Sequence, residues 1–349
     1  MFYTPASLHF STKTRGSIQL SSNRSPTASS ASAASSTRKP RCLSATLLFC
    51  CVSTFLASSL TASTVHKTRK VNAPIRVKGS FVIAAICKDG IIVASDSRGT
   101  LKDRQGRRLA YYDINQKIFP IGNKLIADTG YASLNDPKIS FLTALMSRFA
   151  DSPLSEVDVA QLPASYFKFA AATLPPAGAE SAKVQTLVFA GFQKSKATLC
   201  IYLGESNRTV RCASSGYLSS PKQHILGLAS VQSMSFTEAA QIMQKTIDDY
   251  AAAVQPGFVG GPVVFRTITA SGSKWFGTHP DWPNWGSFTD LAGDYEKNRI
   301  PFHLMPGIAK GQLDTLINEG AAWARTGQPS NVTSTFGALP AIGSPRSAP

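Results

Sequence analysis

The sequence predicts an α+β fold, because segments with strand patterns and segments with helix patterns follow one another in blocks. Two apolar hairpins come first, two helical patterns follow, and then come strands, a helix and one more strand. This order suggests a four-layer αββα sandwich with helices outside two sheets, although the order alone establishes only the α+β class. The 349 residues, 43% of them hydrophobic, are sufficient for one sizeable core with additional tails.

Both hairpins are predicted from apolar runs that are joined by tight turns. Residues 81–87 and 91–95 flank an Asp-Gly turn, and residues 117–121 and 124–127 flank a Gly-Asn turn. Since the first pair of runs is apolar at almost every position, we expect that hairpin to be buried on both faces.

The remaining elements follow from periodicity and capping. Apolar spacing predicts helices over 137–149 and 159–174, the second of which ends at a Pro-Pro pair. Strands are predicted at 184–190 and 262–268. Between them, a Ser-Phe-Thr-Glu capping box begins a helix that covers 235–253.

The formal net charge of +16 is concentrated in the N-terminal part of the chain. Residues 1–79 contain 11 of the 36 Lys and Arg residues and no Asp or Glu, so residues 80–349 have a net charge of only +5. A domain with this charge does not present the basic face that a nucleic-acid-binding protein uses. We therefore expect no nucleic-acid partner.

Residues 1–63 are predicted as a disordered basic leader that includes a signal or anchor segment. Within it, residues 42–60 carry no charge and follow a basic cluster, which is typical of a signal peptide. The same run is about long enough to remain as a membrane anchor. We expect export or membrane contact through 42–60; a mis-assigned start would instead leave a cytoplasmic protein. Residues 64–79 are predicted as a linker or propeptide.

The folded domain is predicted to span residues 80–272. Beyond it, residues 273–349 are interpreted as an irregular C-terminal extension, because the pattern weakens among Trp, Gly and Pro residues. A last helix is predicted at 308–324, and the tail after 327 is predicted to be disordered.

Two cysteines face each other in a predicted hairpin. If the hairpin turn centres on Ser206, Cys200 and Cys212 lie opposite each other on neighbouring strands. They are then either a disulfide, as an oxidising compartment allows, or two small strand residues that happen to be opposed. The six cysteines form no CxxC pair, so we expect neither a metal site nor a cofactor.

Several motifs at the start of the predicted domain resemble one known family. They are similar to the first part of proteasome β subunits and of their bacterial relative, the HslV peptidase, and the resemblance covers roughly residues 80–270. Asp96 follows Ser80 by sixteen positions, which is the family's spacing between nucleophile and aspartate. The residues that carry the resemblance are Gly79-Ser80, Lys88–Arg98, Thr100, Lys117-Ile118 and Thr129-Gly130.

The resemblance implies an N-terminal-nucleophile (Ntn) hydrolase of peptide or other amide bonds that assembles into a homo-oligomeric ring. Cleavage between Gly79 and Ser80 would free Ser80 as the nucleophile, with Asp96 and Lys117 as its catalytic partners. A serine hydroxyl needs a base, and a freed α-amine, whose ordinary pKa is about 8, can act as that base. Lys117 would keep the pKa of the amine low, and Asp96 would hold Lys117.

The resemblance assigns further residues to supporting roles and also has gaps. Gly130 would stabilise the oxyanion through its backbone N–H, and Arg98 and Ser215 would support the site. However, Pro256 and Val259 stand where the family carries an aspartate and a serine. A catalytically weak or inactive ring or scaffold subunit, or an amidase that acts on small molecules, therefore remains an alternative to a peptidase.

Overall fold

The structure, a computed structural model, describes residues 73–74, 76–204, 208–254, 257–277 and 281–328. The predicted leader with its 42–60 segment, and the tail beyond 328, lie outside the described residues. All described residues belong to one unit by their mutual contacts. No helix in the described ranges is both long enough and apolar enough to cross a membrane.

Fourteen strands and six α-helices form within these residues. The strands are β1 Arg76–Lys78, β2 Val82–Cys87, β3 Gly90–Ser95, β4 Gly99–Lys102, β5 Arg108–Tyr112, β6 Ile118–Ile121, β7 Lys124–Thr129, β8 Thr186–Gln193, β9 Lys196–Leu203, β10 Thr209–Ala213, β11 Tyr217–Ser220, β12 Val264–Thr269, β13 Gly272–Phe276 and β14 His303–Leu304. The helices are α1 Leu142–Ala150, α2 Leu162–Thr173, α3 Pro176–Lys183, α4 Phe236–Ala253, α5 Phe288–Glu296 and α6 Lys310–Thr326.

The strands form three antiparallel sheets. Two of them have five strands each, in the orders β11-β2-β3-β12-β13 and β10-β9-β8-β7-β6, and the third has four strands in the order β1-β4-β5-β14. The predicted α+β class is therefore confirmed.

The apolar run 81–87 explains how the layers pack. Alternate side chains of a strand point to opposite faces of its sheet. On β2, Val82, Ala84 and Ile86 belong to a core cluster that includes side chains of β7, β8 and β9 from the other five-stranded sheet. The intervening side chains, Ile83 among them, pack in a different cluster with α4. All six residues of β2 are buried, as the sequence predicted.

Two predicted hairpins and one predicted helix begin and end at or close to the expected residues. The β2–β3 and β6–β7 hairpins pair as predicted. The capping box of α4 forms completely, since Ser235 Oγ accepts from the Glu238 N–H and the Glu238 carboxylate accepts from the Ser235 N–H. Because both interactions satisfy N–H groups that a helix start leaves unpaired, the helix begins where the sequence predicted.

The first two helices differ from their predicted ranges for local reasons. The helix predicted from residue 137 begins at Leu142, because the Asp136 carboxylate accepts from the N–H groups of Lys138 and Ile139 and fixes a turn there. The Pro-Pro pair ends α2, as predicted, but Pro176 also starts α3. Proline is tolerated at the first helical position, where its missing N–H would be unpaired in any case.

The described parts of the C-terminal extension, residues 273–277 and 281–328, contain regular strands and helices, contrary to the prediction that residues 273–349 are irregular. Strand β13 pairs with β12, and β14 pairs with β5. Trp285, one of the Trp residues among which the sequence pattern weakened, packs with residues of α5 and α6 over the four-stranded sheet, and so does Trp323 of α6 itself. The predicted boundary at residue 272 therefore falls inside a hairpin.

If the extension is part of the fold, removing one of its buried aromatic side chains will destabilise the whole protein. Trp323 is 2% exposed, so we expect Trp323→Ala to lower the free energy of unfolding by about 3–5 kcal/mol. Leu226, which is 78% exposed, provides the control, and Leu226→Ala should change that free energy by less than about 0.5 kcal/mol. Urea unfolding followed by circular dichroism measures both, and equal effects would contradict an integrated extension.

Candidate active site

Ser80 and Asp96 are brought together by the pairing of β2 with β3. The register sets Val82 opposite Ser95, so the residues just before β2 lie beside those just after β3. The Phe81 N–H donates to Asp96 Oδ1 at 2.7 Å, and the Asp96 N–H donates to the Phe81 carbonyl at 3.2 Å. The Asp96 side chain is thereby fixed one residue away from Ser80.

A buried ion pair joins Asp96 to Lys117. The distance from Lys117 Nζ to Asp96 Oδ1 is 2.8 Å, and neither side chain is exposed to solvent. Burial of charges is costly unless their remaining hydrogen-bonding capacity is satisfied. Asp96 Oδ2 accepts from the backbone N–H groups of Arg98 at 3.3 Å and Gly260 at 3.1 Å, which meets this condition.

The carbonyl group of Gly79 accepts two hydrogen bonds at the centre of the site. Ser80 Oγ donates to it at 2.5 Å, and Lys117 Nζ donates to it at 2.9 Å. A cationic donor on a carbonyl oxygen withdraws electrons from the carbonyl carbon. The Gly79–Ser80 peptide thus lies between a hydroxyl that can attack it and an ammonium group that polarises it.

The backbone conformation at residue 79 is open only to glycine. Its φ is +119°, and a Cβ placed there would lie 2.2 Å from the Phe258 carbonyl oxygen. The Gly79 N–H donates to the Gly130 carbonyl at 3.1 Å. Gly130 therefore lies beside the Gly79–Ser80 peptide, and its role as an oxyanion donor stays a prediction.

A cavity of about 600 Å³ opens next to Ser80. Its polar lining includes the hydroxyl groups of Thr129 and Ser220, whose oxygen atoms are 2.9 Å apart. The residues that line it include Ser80, Thr129, Gly130, Ser220, Tyr250 and Val259.

Arg98 packs beside Asp96, to which its backbone N–H donates. Its guanidinium group makes two hydrogen bonds to Asp113, at 2.7 and 2.8 Å, and lies 4.0 Å from the centre of the Tyr111 ring. A Cβ on Gly260 would collide with this guanidinium group. The Arg98 side chain therefore packs against the glycine that donates to Asp96, and Asp113 is a partner that the sequence did not indicate.

Ser215 does not belong to the site. It is exposed, and the adjoining Gly216 carbonyl accepts from the Ile86 N–H, near the end of β2 that is remote from Ser80. Six residues of extended chain separate Ile86 from Ser80, which is roughly 20 Å. The antiparallel pairing of β11 with β2 instead sets Ser220 opposite Val82, close to Ser80.

The structure describes only one of the two positions that differ from the family pattern, Pro256 and Val259. Pro256 lies outside the described residues. Val259 is buried and lines the cavity beside Ser80, so an apolar side chain stands where the resemblance predicts a serine.

A second buried carboxylate, Asp128, lies close to the Lys117 segment. Its backbone N–H donates to the Lys117 carbonyl at 2.9 Å, and its side-chain oxygens have no hydrogen-bond partner among the described residues.

Burial raises the pKa of Asp128 to about 8, although Lys117 opposes this shift and Asp96 adds to it. Burial also lowers the pKa of Lys117, against the opposing effect of Asp96. Asp128 was not singled out from the sequence, since a single carboxylate in a strand has no distinctive spacing.

Cys200 and Cys212 are joined by a disulfide across β9 and β10. The two residues are register partners, with their Cα atoms 4.1 Å apart. The predicted turn centre at Ser206 lies outside the described residues.

In the part of the chain that the structure describes, no three His, Cys, Asp or Glu side chains gather as metal ligands would.

A scan of the sequence against protein-family models gives no match, and no curated protein matches the sequence.

The buried Asp128 carboxyl should make stability depend on pH. Its pKa is about 8 in the folded protein and 3.8 ordinarily, so the folded state binds more protons between these values. Its stabilising contribution is therefore complete below pH 3.8 and is lost as pH rises through about 8. We expect wild type to lose several kcal/mol more than Asp128→Asn over this interval.

Urea unfolding at a series of pH values measures this difference. Asp281→Asn, which changes an exposed carboxylate, should keep the wild-type profile. Parallel profiles for wild type and Asp128→Asn would contradict the burial of a titrating carboxyl.

Proposed function

We propose that this protein is an Ntn hydrolase of the proteasome β type, in which Ser80, freed by cleavage after Gly79, hydrolyses peptide or other amide bonds. The supporting observation is the pair of donors on the Gly79 carbonyl oxygen, from Ser80 Oγ at 2.5 Å and Lys117 Nζ at 2.9 Å. Three residues that the sequence resemblance named independently thus meet at one peptide bond, with Asp96 holding Lys117.

The packing of the sheets supports the proposed αββα sandwich. One core cluster combines side chains from the two five-stranded sheets. Helix α4 packs against β2 and β3 on one outer side, and α1, α2 and α3 pack against β6 to β9 on the other. This arrangement gives the order helix, sheet, sheet, helix that the resemblance implies.

Self-cleavage would proceed through an ester. Ser80 Oγ attacks the Gly79 carbonyl carbon, an ester forms between Gly79 and Ser80 Oγ, and the bond from Gly79 to the Ser80 nitrogen breaks. The nitrogen takes up the proton that Oγ lost and becomes the α-amine. Water then hydrolyses the ester, which leaves a carboxylate on Gly79 and restores the Ser80 hydroxyl. Lys117 stabilises the oxygen that carries negative charge in both steps.

Turnover of other substrates would reuse the same groups. The free α-amine of Ser80 acts as the general base for its own hydroxyl. The Lys117 ammonium group lowers the pKa of that amine by charge repulsion, so the amine is unprotonated more often near neutral pH. The expected oxyanion donor is the N–H of Gly130, which lines the cavity beside Ser80.

Val259 favours one alternative, a catalytically weak or inactive subunit that keeps the fold. A valine cannot hydrogen-bond to the α-amine of Ser80, so the amine would be oriented less firmly than in the family. The hydroxyl groups of Thr129 and Ser220 lie in the same cavity and are the candidates to replace that contact.

A small-molecule amidase is the other alternative, and a panel of amide and peptide substrates separates it from a peptidase. The ring assembly and the export or membrane association of the protein are also proposals.

Mass spectrometry of the denatured full-length protein tests the cleavage directly. We expect wild type to yield a chain that begins at Ser80, whereas Ser80→Ala stays uncleaved because it has no attacking oxygen. Ser80→Thr should still cleave, since it retains a hydroxyl group. Ser220→Ala, which removes a hydroxyl group from the same cavity, serves as the control and should cleave. A wild-type chain that remains intact across Gly79–Ser80 would refute the proposed nucleophile.

The role of the ion pair is separable from its contribution to stability. Lys117→Met alone leaves Asp96 buried and unpaired, which should lower the free energy of unfolding by about 3–5 kcal/mol. The double variant Lys117→Met/Asp96→Asn removes both charges and should regain much of that loss. If Lys117 polarises the Gly79 carbonyl, self-cleavage in the double variant should still be slower than in wild type by a factor on the order of 100. Cleavage of the stable double variant at the wild-type rate would show that Lys117 has no chemical role.

A further inference from the structure

The residues just before Ser80, which belong to the predicted linker or propeptide, form a strand. β1 pairs with β4 in antiparallel register, with Val77 opposite Leu101 and Lys78 opposite Thr100. Such pairing holds a segment along its whole length through backbone hydrogen bonds.

The other edge of β1 is also bonded. The Val77 carbonyl accepts from the Ala132 N–H at 2.9 Å, and the Val77 N–H donates to Ser133 Oγ at 3.0 Å. Lys78 forms a β-bridge with Tyr131, and its ammonium group lies 4.4 Å from the centre of the Tyr131 ring. β1 therefore fills a groove between β4 and residues 131–133, and this groove leads to Ser80.

Side chains of this segment belong to the core that the C-terminal extension completes. Val77 is fully buried and Ala73 is 7% exposed, and both belong to the cluster that includes α5 and α6. The Ala73 N–H also donates to Asn135 Oδ1 at 2.8 Å. The extension thus covers the segment that precedes the proposed cleavage site.

At one position, charge repulsion weakens the pairing of β1 with β4. Arg76 is the register partner of Lys102, and like charges that face each other across strands repel. Arg76 is exposed, however, whereas the apolar side chain of Val77 points into the core. The segment is therefore held by Val77 and the backbone and is weakened by its basic side chains.

We propose that the segment ending at Gly79 stays in this groove after cleavage and blocks the approach of other chains to Ser80. This inference rests on the proposed function. Cleavage breaks only the bond between Gly79 and Ser80, and the contacts of β1 on both edges do not involve that bond. The new Gly79 carboxylate would lie beside the Lys117 ammonium group, which already donates to the same oxygen at 2.9 Å. A charge-assisted hydrogen bond there strengthens retention.

The resident strand also identifies the class of ligand that fits the groove. It is an extended peptide with a carboxyl-terminal glycine and a small aliphatic residue two positions before that glycine. Its backbone pairs with β4 on one side and with residues 131–133 on the other. Another peptide must displace the resident strand before Ser80 can act on it.

Hydrogen exchange tests the resident strand without requiring cleavage. In the full-length Ser80→Ala protein, which cannot cleave, we expect the amides of residues 76–79 to exchange as slowly as those of β4. Val77→Asp in the same background should expose them. Exchange of residues 76–79 at the rate of an unfolded chain in the Ser80→Ala protein would overturn the inference, whether or not wild type cleaves.

Native mass spectrometry tests retention in the cleaved protein. Denaturing mass spectrometry first establishes whether wild type is cleaved; an intact chain refutes the proposed function and leaves the exchange result to decide the inference. In cleaved wild type, the fragment ending at Gly79 should remain bound to the chain that begins at Ser80. Arg76→Glu, which places an acidic residue opposite Lys102, should retain it at least as well, and Val77→Asp should release it. Free fragment in cleaved wild type would overturn the inference.

Reaction of Ser80 with a fluorophosphonate probe tests whether the retained segment blocks access to Ser80. We expect the probe to label cleaved Val77→Asp at least ten times faster than cleaved wild type. The synthetic peptide Ala-Pro-Ile-Arg-Val-Lys-Gly should slow labelling of Val77→Asp, whereas the same peptide with Asp in place of Val should not. If Val77→Asp fails to fold, Val77→Thr should show a smaller change in the same direction. Equal labelling of cleaved wild type and the released variant would show that the strand does not block the site.

Discussion

The buried ion pair between Asp96 and Lys117 is the interaction on which the site depends. Asp96 follows β3 and Lys117 precedes β6, so the pair links the two five-stranded sheets. Two unpaired charges could not remain in a core without water, and the backbone donors around Asp96 make the pair tolerable there. The ammonium group can then lie against the Gly79 carbonyl, which a solvated lysine would not do reliably. The pair thus joins the two five-stranded sheets at the point where Lys117 polarises the Gly79 carbonyl.

The sequence was most informative where neighbouring residues interact. The β2–β3 hairpin was predictable because its apolar runs and its Asp-Gly turn are local. That hairpin in turn places Asp96 beside Phe81, so the spacing from Ser80 to Asp96 carried information about the site. The capping box of α4 was predictable for the same reason, since its two partners are three residues apart.

Contacts between segments that are distant along the chain were not predictable from the pattern of residues in the sequence. The resemblance implied a supporting role for Ser215, and only the register of β11 against β2 shows that Ser220, rather than Ser215, lies near Ser80. The pairing of Arg98 with Asp113 and the burial of Asp128 depend on packing that leaves no local signature. The extension was predicted to be irregular because the pattern weakens among Trp, Gly and Pro residues, yet Trp285, Phe288 and Trp323 pack in the core that covers the four-stranded sheet.

The core cluster that joins Ala73 and Val77 to α5 and α6 has a consequence for the order of events during biosynthesis. Its members include residues near both ends of the described chain, so β1 cannot be fully covered until α6 has left the ribosome. Contacts between such distant segments form slowly, because a long stretch of chain must be ordered first. Val77 therefore lacks part of its packing until α6 has been synthesised. The segment that precedes Ser80 is fully committed to the fold only at that point.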